Sequence, residues 1–130
     1  MAKKNDVQTE NEKYDQHIID ALLKLKTPIK GINKKEFDIR STGRNENGIE
    51  HIASKRHRLK VRDIESIPDI LRHPKIVTPD PHNKNYMNYY GIRRGKDESM
   101  FLKIITWPYE NDENKETIIT VYPTKAIKVE

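Results

Sequence analysis

Apolar positions early in the chain recur every three to four residues: Tyr14, Ile18, Leu22 and Leu25, with Ala21 beside them, form one stripe that Thr27-Pro28 interrupts. That period buries one face of a helix, so the first helix is expected here. The segment from Ile29 to Asn47 reads as a connector holding one short strand, EFDIRS, and the turn-rich TGRNENG. A second helix is expected from Gly48. On a wheel of about 100° per residue, Ile49, Ile52, Ala53 and Arg56 share one side, His51, Lys55 and Arg58 lie opposite, and His57 is on the flank. Ile64 with Ile67, then Ile70 with Leu71, predict two short helical turns, with Pro68 tolerated at the start of the second.

After Pro74 the pattern changes to strand-like runs: KIVTP at 75–79, YMNYYGIRR at 86–94, MFLKIITWPY at 100–109 and TIITVY at 117–122. The separators PHNKN, GKDES and ENDENKE are short and turn-like, which suits antiparallel neighbours. Helices followed by a meander predict an α+β fold in which amino-terminal helices pack on a four-stranded antiparallel sheet. Alternation along the last strand puts Thr117, Ile119 and Val121 on the helix side, and Ile118, Thr120 and Tyr122 on the other. Thr120 and Tyr122 would then floor a cleft.

Length admits a single domain: 130 residues match the usual size, with residues 1–11 expected as a disordered polar tail and 12–130 as the folded unit. A charge of +5 is concentrated rather than spread. Lys55, Arg56, Arg58, Lys60 and Arg62 follow one another without an acid, whereas Glu110, Asp112, Glu113 and Glu116 gather late. Such clustering favours a polyanionic partner. The absence of cysteine excludes disulfides, thiolate metal sites and thiol nucleophiles. MAKKNDVQTENEK lacks the apolar centre of a signal peptide, and no run approaches the roughly 18 apolar residues of a membrane span. The expected location is cytoplasmic, without membrane association, although a toxin delivered by a dedicated secretion system carries the same features.

His51 and His57 within the cationic stretch bring specific chemistry. Cleavage of RNA through its own 2′-hydroxyl needs a base for that proton, an acid for the departing 5′-oxygen and a cation beside the phosphate, and no metal. Two imidazoles suit the proton transfers and Lys55 the charge. Arg56 and Arg58 extend the cationic surface, and Arg93 is taken as the strand arginine that reaches the cleft. Tyr90, with Tyr86, Tyr89 and Trp107, offers rings for stacking on bases. A solvated helix face and ordinary sheet packing are the plainer roles for all of these. Asp80 and His82 in PDPHN invite a divalent ion but lack a third and fourth ligand at suitable spacing. His73 sits at a helix end and His17 on a helix surface.

Helices bearing His and Lys/Arg, a PKIVTPDP strand entry, the strand NYYGI and a final strand ending ITVYPTK resemble the ribonucleases grouped with barnase, EndoU, the colicin tRNases and RelE, including their phage and polymorphic-toxin relatives. The resemblance covers residues 48–125. It implies a metal-independent endoribonuclease that leaves a 2′,3′-cyclic phosphate and needs no cofactor. His51 and His57 are implied as proton-transfer groups, Lys55 as the phosphate partner, and Thr120 and Tyr122 as substrate-facing groups. The implied partners are RNA, with tRNA one candidate, and an immunity or antitoxin protein. A noncatalytic basic nucleic-acid-binding module is the alternative.

Overall fold

The computed structural model describes residues 13–39, 49–93 and 101–125. The expected tail at residues 1–11, the TGRNENG turn, Arg94 and the GKDES separator lie outside them. The first stripe forms helix α1 (Gln16–Lys24), begun by Asp15, whose carboxylate accepts the His17 N–H at 2.9 Å. A short acidic side chain in that position satisfies one of the free amides of a first helical turn. Strands β1 (Ile29–Lys30) and β2 (Glu36–Ile39) follow, then the single turn of α2 (Ile49–Ile52) and a 3-10 turn at Lys55–His57. Helices α3 (Val61–Glu65) and α4 (Ile67–Arg72) precede β3 (Ile76–Pro79), β4 (Met87–Ile92), β5 (Phe101–Pro108) and β6 (Lys115–Thr124).

The meander β3–β4–β5–β6 is antiparallel throughout, as the turn signals predict. It is part of a larger sheet. Six strands run in the order β1-β2-β6-β5-β4-β3, with β2 parallel to β6 from Glu36↔Lys115 to Ile39↔Ile118. The expectation of a four-stranded antiparallel sheet is therefore corrected to a six-stranded mixed one. Phe37 supplies the physical reason: fully buried, it meets Tyr89 edge-on at 5.3 Å and carries the connector into the core. Lys35 fastens the same segment through an ion pair with Glu116 at 2.8 Å.

The four described helices lie against one face of the sheet. Ile18 and Leu22 of α1, Ile52 of α2, Ile64 of α3 and Ile67 and Leu71 of α4 share a core with Tyr89, Leu102, Ile104, Ile118 and Val121. With Ile29 and Phe37 included, that core extends upstream of residues 48–125. Glu116 is buried within the sheet, where its carboxylate also accepts from the Tyr89 hydroxyl at 2.8 Å and from Thr106 at 2.6 Å. A buried charge persists only with such partners. Burial first, then the bond and charge of Glu116, push the Tyr89 phenol far above its ordinary value, so it remains a donor.

Strict alternation fails at one point in β6. Thr106 opposes Ile118 but Ile105 opposes Thr120, leaving Ile119 as an extra residue. This bulge puts Ile118 with Val121 in the helix-packed core, instead of with Thr120 and Tyr122 as expected. Thr120 and Tyr122 keep the opposite face, which carries four cross-strand rows: Tyr86 beside Trp107; Asn88, Ile105 and Thr120; Tyr90, Lys103 and Tyr122; and Ile92, Phe101 and Thr124.

Candidate active site

The cationic stretch does not continue as one helix, because other groups take the carbonyls that would extend it. A longer helix would offer the Ile52 and Ala53 carbonyls to amides four residues on. Instead the Asp15 N–H donates to Ala53 O at 2.8 Å, and the ring nitrogen Nδ1 of His57 meets Ile52 O at 3.1 Å. Tyr14 and Ser54 form an isolated antiparallel bridge beside the break. The chain then closes the 3-10 turn and passes through Arg58, whose φ of 55° is left-handed. A straight helix would set His51 and His57 about 120° apart around its axis. The break brings their rings to a centroid distance of 5.1 Å, edge to face.

Both α2 and the 3-10 turn pack on β6. Among the described residues, β2 accompanies β6 as far as Ile118, and the stretch beyond is paired with β5. There the His57 ring lies 6.0 Å from that of Tyr122. A carbonyl can only accept, so the bond to Ile52 O fixes the proton on Nδ1 and leaves Nε2 of the neutral ring with its lone pair. Burial, opposed by that backbone bond and reinforced by the charge of Arg56, holds the His57 pKa below its ordinary value. The group is therefore neutral, and basic at Nε2, near pH 7.

Lys103 completes the cluster from β5, directly opposite Tyr122. Its Nζ lies 5.3 Å from the Tyr122 ring centroid and 5.8 Å from that of Tyr90, within the range over which a ring face attracts a cation. Burial works against its charge, but the hydrogen bond with Tyr122, followed by the charges of Tyr122, Tyr90 and lastly Asp80, outweighs it, and the pKa is raised. Two histidines, one tyrosine and one cation are thus linked in series where the helical layer joins the other sheet face. Thr120 is on the same face, one row away, buried and with no hydrogen-bond partner for its hydroxyl.

The other expected site residues are placed differently. Lys55, Arg56 and Arg58 are exposed. Arg56 acts on His57 through its charge. Arg93, expected to bind substrate, is corrected to a buried structural group: Nε and Nη2 each donate to Asp63 at 2.9 Å, and Nη2 reaches Arg58 O at 3.4 Å. Asp63 also accepts the Lys60 N–H at 2.7 Å. The pair therefore ties β4 to the loop that follows His57, and removing one partner of such a pair typically costs about 3–5 kcal/mol. Tyr90 is likewise buried, with Lys103 over its ring, and supports that ammonium rather than offering a face to a base. Tyr89 belongs to the core. Tyr86 and Trp107, 6.0 Å apart, are the ring pair with exposure.

Asp80 caps its own turn by accepting from the His82 and Asn83 amides at 2.8 and 3.1 Å, and His82 is exposed. Among the described residues, no three His, Asp or Glu side chains converge as a metal site. Two open surface grooves, one walled by His17, Asp20, Lys24 and Glu65 and one by Ser66, His73, Lys75 and Ile92, are separate from the His51–His57 cluster.

The sequence reading missed Lys103. A lysine flanked by Leu102 and Ile104 in an apolar strand must face away from the core, which was a usable signal. Its place opposite Tyr122 depends on register, including the Ile119 bulge, which no local pattern announces. Compared with known proteins, the chain matches no family model, no curated protein and no solved structure.

Proposed function

We propose that this protein is a metal-independent endoribonuclease. The carrying observation is the convergence of His51, His57, Tyr122 and Lys103, with ring centroids 5.1 Å apart between the histidines and 6.0 Å between His57 and Tyr122. In the proposed reaction Nε2 of neutral His57 takes the 2′-hydroxyl proton, and the oxygen attacks the adjacent phosphorus. The P–O5′ bond breaks, His51 in its imidazolium form returns a proton to O5′, and the products are a 2′,3′-cyclic phosphate and a 5′-hydroxyl. Lys103, rather than the exposed Lys55, is the cation beside the phosphorane, steadied by Tyr122. Lys55, Arg56 and Arg58 attract the flanking phosphates. An enzyme of this kind needs an inhibitor in the cell that makes it, and the toxin role with an immunity or antitoxin partner is part of the same proposal.

The test is incubation with single-stranded RNA in EDTA, with end-group analysis of the products. Cyclic-phosphate ends that vanish in His57→Ala and His51→Ala, and fall at least tenfold in Lys103→Ala, are expected. RNA that stays intact while binding in a salt-sensitive way would replace the enzyme with a noncatalytic basic module, the role that the exposed run from Lys55 to Arg62 would serve by itself.

A further inference from the structure

The cross-strand row next to Lys103 and Tyr122 has an unusual property. Asn88 is fully buried on β4, and neither its amide nitrogen nor its amide oxygen has a hydrogen-bond partner. Across the sheet from it, beyond Ile105, stands Thr120, whose buried hydroxyl is also unpartnered. Buried polar atoms in folded proteins are nearly always paired, and each unpaired one needs a physical account, of which a bound partner is one and an ordered water another. Here three such atoms occupy one row, a donor and an acceptor on one side of an apolar residue and a hydroxyl on the other.

The neighbouring rows narrow the chemistry of that partner. One step along the strands, about 7 Å away, are Lys103 and Tyr122 with His57 beside them. One step in the other direction are Tyr86 and Trp107, both at least partly exposed. Exposed rings, an amide edge and an ammonium in adjacent rows match the parts of a nucleotide: a flat π face, a donor–acceptor edge and a phosphate. A primary amide pairs with a nucleobase edge through two hydrogen bonds at once, using both of the atoms that Asn88 leaves unmatched.

We propose that Asn88 and Thr120 form a base-reading subsite, in which Asn88 is the specificity-determining residue and the Tyr86–Trp107 pair stacks on the base. This rests on the nucleotide reading of the adjacent cluster, but it is testable without cleavage. The variant is Asn88→Leu, which keeps the side-chain volume and removes both unmatched atoms. Wild type and variant are titrated with adenosine, guanosine, cytidine and uridine 3′-monophosphates, following Trp107 fluorescence, and their thermal unfolding is recorded without ligand. Wild type is expected to prefer one base at least tenfold, the variant to lose that preference, and its melting temperature to stay level or rise.

A lower melting temperature with the base preference retained would assign the amide to the fold, through an ordered water for example, and overturn the proposal. So would equal affinity of wild type for all four nucleotides. If the preference exists and Asn88→Leu abolishes it while RNA in EDTA stays intact, the subsite stands and the nuclease reading falls.

Discussion

His57 shows how much one side chain draws from its surroundings. Half-burial favours its neutral ring, the bond to Ile52 O opposes that, and the charge of Arg56 adds to the lowering from 6.5. The proposed general base must be unprotonated, so if His57 has that role kcat/KM should rise with pH along a limb whose midpoint lies below 6.5. Arg56→Gln removes a lowering charge and should move that midpoint upward. A pH–rate profile of the two proteins checks the sign, and a midpoint that stays in place or moves down assigns the limb to another group. At this scale the sequence was a partial guide. His51, His57 and Tyr122 could be singled out as candidates because imidazoles inside a cationic run, and a polar position in a β-branched strand, are local features; what the fold adds is their ring contacts. Arg93 was misread because its partner Asp63 is thirty positions away in the chain and on a different element, a pairing that alternation on one strand does not reveal.

At the level of elements, α4 lies close against β4, and Gly91 sets that approach. A Cβ there would stand 2.3 to 2.8 Å from three carbons of Ile70. Gly91→Ala should therefore destabilise by about 1–3 kcal/mol, the usual range for overpacking. Ile70→Ala alone should cost about 2–5 kcal/mol through the cavity it leaves. In the double variant the new methyl occupies part of that space, so urea unfolding should give a total cost at least about 1 kcal/mol below the sum. Strictly additive costs would mean that the helix and strand do not meet at this point. The meander and α1 were readable because each follows its own hydrophobic period. The break after α2 was not, because it depends on Asp15 and Tyr14 reaching residues far along the chain; the EFDIRS strand was readable, but its place in the sheet was not, because that comes from Phe37 in the core and from β6 alongside.

The whole molecule has a covered sheet face and a second face, and the histidine cluster stands where the helical layer meets the second. Charge follows the same axis along β6. The turn before its start carries Glu110, Asp112 and Glu113, whereas Tyr122 near its end lies beside the His57 turn, in and after which Lys55, Arg56, Arg58, Lys60 and Arg62 are exposed. This field would steer the proposed polyanionic substrate to the cationic end, and such attraction is separable from chemistry. For single-stranded nucleic acid, log affinity falls with log salt by about 0.7 for each phosphate neutralised. Lys55→Ala/Lys60→Ala removes two exposed cations, so the slope of log affinity for RNA should become shallower by roughly 1.4. KM at moderate salt should rise while kcat holds, since Lys103 and the histidines are untouched. Steady-state kinetics over a salt series measures both quantities. A fall in kcat comparable to that of His57→Ala would instead place Lys55 at the reacting phosphate, and the assignment of that role to the β5 lysine would have to be withdrawn.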